Sequence, residues 1–134
     1  DLKQVNKVYE AIAPTRVDLN YPLEVASRLQ RHAEHFYLTE QVTGEPNAFT
    51  TIELIDNRGA HSLYRLHPTT GKKHQLRVHM MGLGMPLLND GLYPVALPMD
   101  VVDYEKPLKL LARSIRFVDP ITQQERRFES QLQL

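Results

Sequence analysis

The chain has 134 residues, 42% of them hydrophobic and 24% charged, with 16 Lys+Arg balanced by 16 Asp+Glu. That length suits a single domain, residues 1–134, with one packed core. The absence of Cys excludes disulfides, zinc–thiolate sites and Cys nucleophiles, and suits a cytoplasmic protein. No apolar run reaches the ~18 residues needed to cross a bilayer, so no membrane partner is expected. Zero formal charge argues against phosphate-led binding unless Lys and Arg gather on one face. The chain begins with Asp1 rather than Met, and is expected to be a processed product or a piece of a longer protein.

In chain order, Gln4 to Ala13 roughly alternates and is bounded by Pro14, which predicts a strand with Lys7, Tyr9 and Ala11 on one face and Val8, Glu10 and Ile12 on the other. Val17 to Pro46 is less regular. Leu23, Ala26 and Leu29 give a weak helical rhythm, so this stretch is expected to be extended connections with one short helix or a further strand. Phe49 to Ile55, the turn Asp56-Asn57-Arg58-Gly59 and Ala60 to His67 predict a hairpin. Thr70 is a candidate N-cap for a helix from about Lys72 to Leu83, ending near Gly82 or Gly84. After a Pro/Gly-punctuated loop, Leu108 to Val118 and Glu125 to Ser130 form a second hairpin across 119–124. The fold class expected is α+β: four or five strands in a mostly antiparallel mixed sheet with one main helix.

The chemistry concentrates between His67 and His79. On a helical wheel Leu76, Met80 and Leu83 share one face, with His74, Val78 and Met81 on roughly the opposite one and Arg77 beside them. A helix apolar on two sides is covered on both, so Arg77 is expected to be partly buried and to require an anion. No acidic residue lies one helical turn away, so that anion comes from elsewhere in the fold or from a ligand. Three readings of the segment stand at this point. Arg77 anchors the fold while the histidines are ordinary core or surface groups. Alternatively, His74 and His79 bind a metal, although their spacing of five and lack of an accompanying carboxylate speak against it. Or Thr70-Gly71-Lys72-Lys73 binds phosphate at a helix N-terminus.

The run Thr70-Gly71-Lys72-Lys73-His74-Gln75-Leu76-Arg77-Val78-His79, followed by Gly84-Met85-Pro86-Leu87-Leu88-Asn89-Asp90-Gly91-Leu92-Tyr93, resembles the T-G-R-T-H-Q-I-R-V-H … G-x-P-I-x-G-D-x-x-Y signature of RluA-type pseudouridine synthases. Lys7-Val8-Tyr9-Glu10-Ala11 resembles the family's K-x-Y-x-A strand, and Leu108 to Glu129 its closing hairpin. Lys72 stands where Arg is usual, Asn89 where Gly is common and Leu111 where the closing hairpin usually has His. No Arg-Leu-Asp triplet, the family's nucleophile motif, occurs in the chain.

The resemblance implies the C-terminal part of a catalytic domain that flips a uridine from structured RNA (ribosomal or transfer), breaks its glycosidic bond, turns the base and rejoins it through carbon, with no cofactor or metal. Base extrusion costs a few kcal/mol of stacking, to be offset in the pocket. Tyr9 would stack on the flipped base, its hydroxyl near the departing proton, and Arg77 would pair with the nucleophilic Asp. Lys7, Lys72, Lys73 and His74 would contact RNA backbone, whereas Asp90 is expected to fix its loop. The isolated chain is expected to be inactive, with Arg77 short of its carboxylate and self-association or a bound anion as consequences. A non-catalytic RNA-binding module of the same fold is the alternative, and a metal hydrolase using the histidines a third.

Overall fold

The structure is a computed structural model and describes residues 5–98 and 105–134. Seven strands form one sheet in the order β3-β2-β4-β5-β1-β6-β7. They are β1 (Val5–Pro14), β2 (Leu23–Arg31), β3 (Thr39–Val42), β4 (Ala48–Asn57), β5 (His61–Pro68), β6 (Leu110–Val118) and β7 (Glu125–Glu129), with a helix, α1 (Gln75–Gly82), between β5 and β6. Every pairing among the described residues is antiparallel. The α+β expectation holds. The expected first strand residue, Gln4, lies outside the described residues.

Period-two patterning places the core. Ala11 and Ala13 of β1, Ile52 of β4 and Tyr64 and Leu66 of β5 point to the face that α1 covers, where they meet Leu76 and Met80 of the helix. Met85 and Leu87, just after α1, complete this cluster. The other flank of α1 buries Val78 against Leu29, Leu38, Ala48 and Tyr93, with Met81 packed on it. The helix is thus covered on both sides, as its two apolar stripes require.

One expectation is narrowed and another needs correction. For Val17 to Pro46 the strand alternative holds rather than the helix, with two strands in place of one, because the informative period there is two: Leu23, Val25, Ser27 and Leu29 turn inward while Glu24, Ala26 and Arg28 are exposed. The helix also begins later than Lys72. His74 occupies the N-cap position in the left-handed region at φ 55°, with no side-chain cap, and the first helical bond runs from Val78 N–H to His74 C=O at 3.0 Å. Thr70 does not cap. Its hydroxyl donates to Gln75 Oε1 at 2.7 Å and accepts from Phe49 N–H at 2.9 Å. Gln75 Oε1 also accepts from Lys72 N–H at 3.2 Å, and its amide donates to Phe49 C=O and Thr50 Oγ1, both at 2.9 Å. One buried side chain therefore ties the 70–74 loop to β4 and supplies the bonds that an earlier helix start would have made.

The end of α1 matches expectation. Gly84 adopts φ 76°, and bonds from Gly84 N–H to Met81 C=O and Met85 N–H to Met80 C=O, both 2.9 Å, close a Schellman motif. The chain then docks on β1, where Leu88 N–H donates to Ile12 C=O at 2.8 Å. Asn89 has φ 65°, a conformation that favours Gly and that Asn tolerates. The family's common Gly at this position thus has a backbone reason, and Asn89 satisfies it.

Candidate active site

Tyr9 and Lys7 share the α1 side of β1, as their alternation predicts, although the β1–β6 register shifts between Val8 and Tyr9. Tyr9 sits between Leu66 of β5 and Ala112 of β6 and is half-buried. Lys7, Tyr9, Lys72, His74 and Arg77 all line one open cleft of about 330 Å³, floored by Leu76, Leu108 and Leu110. Five of the six residues singled out in the sequence thus meet in one place. Lys73 does not: it lines a neighbouring groove, which Lys72 also borders.

Arg77 is mostly buried, its side chain 15% exposed, and its carboxylate partner is within the chain. Nε donates to Asp90 Oδ2 at 3.0 Å and Nη2 donates to Asp90 Oδ1, in a fork-on-carboxylate arrangement. The expectation that Arg77 lacks a carboxylate here, and so attracts an anion, is corrected. The local helical turn offers no acid, but the loop after the helix does, thirteen residues on. Asp90, with a side chain 1% exposed, also accepts from Leu92 N–H at 2.9 Å and Tyr93 N–H at 3.1 Å. It fixes its loop, as expected, and holds Arg77 as well.

Sequence reasoning missed the part played by Tyr93. Its ring lies 5.4 Å from the Arg77 guanidinium carbon, within cation–π range. Its hydroxyl accepts from Thr39 N–H and lies 2.8 Å from His74 Nδ1. The strained His74 backbone and the Arg77 side chain are thereby fixed from the same ring. The signal was present as the Asp90-x-x-Tyr93 spacing, but only the fold brings β3 to that hydroxyl.

The two helix histidines are engaged separately. His79 is buried between Ser27 Oγ at 2.6 Å and Thr50 Oγ1 at 2.8 Å, and burial pushes its pKa down to about 4. His74 is also shifted down, first by burial and then by the nearby positive charges of Arg77 and Lys73. Both rings are therefore neutral near pH 7. On the opposite face of the sheet Glu10 accepts from Arg113 at 2.9 and 2.6 Å and lies 3.5 Å from Arg65, a buried carboxylate bracketed by two guanidinium groups. Among the described residues no helix is long and apolar enough to span a membrane.

Residues 1–81 match the family model described as RNA pseudouridylate synthase. The chain is 46% identical over 54 residues to RNA pseudouridine synthase 7 of Arabidopsis thaliana, covering 40% of this chain and 13% of that one. It is 31% identical over 139 aligned positions to ribosomal large subunit pseudouridine synthase D of Vibrio vulnificus, covering 96% of this chain and 42% of the relative. The chain thus spans less than half the length of the curated relatives it matches. Its fold is that of human RNA pseudouridylate synthase domain containing 1, with a TM-score of 0.73 at 19% identity over 96% of this chain and 56% of that one. With 81 of 134 residues matched and the signature residues gathered in one cleft, the chain belongs to the RNA pseudouridylate synthase family.

Proposed function

We propose that this chain forms the Tyr9–Arg77 side of a site that isomerises uridine to pseudouridine in structured RNA, ribosomal or transfer, in the cytoplasm. The observation that carries the proposal is the convergence of Tyr9 and Lys7 from β1 with Lys72, His74 and Arg77 from the α1 segment on one cleft with an apolar floor. A flipped base needs such a surface: a ring to stack on, an apolar bed, and cations at the mouth for the flanking phosphates. Tyr9 supplies the ring, with its hydroxyl toward the carbon that must lose a proton. Lys7 and Lys72 supply charge at the rim, and Lys72 does so as a point charge without the bidentate fork of an arginine.

Arg77 reaches the cleft already oriented. Two of its three nitrogens are held by Asp90, and Nη1 has no hydrogen-bond partner among the described residues. In this proposal Nη1 meets the nucleophilic carboxylate, supplied by residues of the parent protein outside this chain. That carboxylate attacks C1′ of the sugar as the glycosidic C1′–N1 bond breaks. The freed base turns, its C5 attacks C1′ and displaces the carboxylate, and the proton on C5 is lost while N1 takes one up. Residues 1–134 alone are accordingly inactive.

A second reading, an RNA-binding module without catalysis, draws on the same Arg77–Asp90 pair, since an arginine satisfied within the chain needs no catalytic partner. The deciding experiment measures uridine conversion on structured RNA by the parent polypeptide and by its Tyr9→Phe variant, with binding measured beside it. The proposal expects conversion that Tyr9→Phe lowers by about 10²–10⁴-fold, the usual range for a positioned proton-transfer group, with binding kept. A parent with no conversion, or a fully active Tyr9→Phe variant, overturns it.

A further inference from the structure

Beside the cleft lies a second, smaller groove of about 170 Å³, between the β2–β3 connection and the loop leading into α1. Arg31, Lys72 and Lys73 line it together with Phe36, Leu29 and Thr39, and no carboxylate does. The nearby carboxylate of Glu40 is occupied elsewhere, 3.0 Å from Gln30 Nε2 and 3.7 Å from His32 Nε2. Gln30 also lines the groove, and its side-chain amide donates to Glu40, so that carboxylate is engaged with Gln30 and His32 rather than with the groove's cations. The net charge of zero therefore conceals a local excess of positive charge.

Aromatic groups adjoin these cations. His32–His35, His35–Tyr37 and Phe36–Tyr37 have ring centroids 5.3, 5.7 and 5.9 Å apart. They form a run of rings on the connection between the strands. Phe36 is 72% exposed although it is large and apolar, and Tyr37 is 42% exposed. An exposed Phe beside three cations that make no ion pair among the described residues makes no sense as core. It has the composition of a surface that binds single-stranded nucleic acid, with rings for bases and cations for phosphates. Lys72 borders both the groove and the Tyr9 cleft, so the two sites adjoin at this residue.

We propose that this groove is a second RNA-contact surface: it takes unpaired nucleotides flanking the target uridine, stacking a base on Phe36 and placing phosphates against Arg31, Lys72 and Lys73. It rests on the proposed function in taking RNA as the partner, and extends it by giving the strand a direction, from Tyr9 past Lys72 toward the β2–β3 connection.

The test is fluorescence anisotropy of the full 134-residue chain with a labelled, uridine-rich single-stranded oligoribonucleotide across a range of salt. Phe36→Ala is expected to weaken binding about tenfold and leave the salt slope unchanged, because a stacking contact is lost and no phosphate contact is. Arg31→Ala combined with Lys73→Ala is expected to lower the log–log salt slope by about 0.7 per phosphate contact removed. All three side chains are exposed, so the variants should keep the parent melting temperature, which serves as the folding control. Unchanged affinity and slope in both variants overturns the groove, as does absence of measurable binding by the unaltered chain; an acidic protein partner then becomes the better occupant. Conversion by the parent polypeptide is scored separately. A parent that converts uridine normally while the groove variants bind like the unaltered chain sinks the groove alone, whereas groove-dependent binding without any conversion sinks only the catalytic reading.

Discussion

Replacing Asp90 by Ala removes more than one contact. It deletes both acceptors of Arg77 and the acceptor shared by the Leu92 and Tyr93 amides, in a place where Asp90 is 1% and Arg77 15% exposed. Breaking one partner of a buried pair costs about 3–5 kcal/mol, because the remaining charge is left without compensation. A domain of this size has about 5–15 kcal/mol in total, so Asp90→Ala should lower the urea midpoint severely. Asp90→Asn can keep one oxygen as acceptor for the two amides and Arg77 Nη2, but it sets an amide NH2 against the Nε–H donor and removes the charge, so it is expected to cost about 1–3 kcal/mol, less than Asp90→Ala. Urea titrations of the unaltered chain, both Asp90 variants, Arg77→Met and the double variant Arg77→Met/Asp90→Ala give a double-mutant cycle. A loss under about 1 kcal/mol for Asp90→Ala, or a coupling energy near zero, would refute the view that this pair organises the site.

His79 titrates at about 4 in the fold against 6.5 for an unperturbed imidazole, so the folded state disfavours its proton. The stability it contributes is present above pH 6.5 and is lost as pH falls toward 4. Unfolding at pH 4.5 should therefore be easier than at pH 7 by about 2–3 kcal/mol from this group, and His79→Gln should flatten that part of the profile. Gly84→Ala places a Cβ at φ 76° and is expected to cost about 1–2 kcal/mol in thermal or urea unfolding; no loss would mean the Schellman turn can relax. Gln75→Ala should cost about 1–3 kcal/mol and make the 70–74 loop susceptible to limited proteolysis, since that side chain joins the loop to Phe49 and Thr50. Resistance equal to the unaltered chain would show that the loop is held by something else.

How much of this was legible in the sequence differs element by element. The hairpin of β4 and β5 was readable because Thr50, Ile52 and Leu54 alternate and turn-forming residues follow, although Asp56 and Asn57 still pair within the ladder and the connection itself is 58–60. β2 was not, because Ser27 occupies an inward position. A hydroxyl there breaks the apolar alternation, and Ala26 then completes a false helical rhythm. Ser27 is inward because it meets His79 on α1, a contact that no local pattern encodes. The helix start failed for a similar reason, since Thr70 looks like a cap until Gln75 is seen to bind it from within the helix. Site residues were legible as residue types in order. Their convergence was not, because it depends on β1 lying beside β5 and β6 rather than beside its sequence neighbour.

The Arg77–Asp90 pair alters what the helix signature means. A lone buried arginine would have to wait for its anion and would be disordered without it. Here Asp90 fixes two of its nitrogens and the Tyr93 ring lies near the guanidinium, so the group's position is set before any further carboxylate arrives. Such preorganisation removes the ordering cost from the binding step, which is where a site gains affinity for a second charge. It also explains why an anchoring role and a site role need not compete for Arg77. Asp90 occupies one edge of the guanidinium, and Nη1, without a hydrogen-bond partner among the described residues, is the atom the proposed site role would use. The two roles separate experimentally. Arg77→Lys keeps a charge but loses the fork, so stability should fall even in the chain alone, while any additional loss of conversion in the parent beyond that of an equally destabilised Gly84→Ala variant measures what Arg77 does in the cleft.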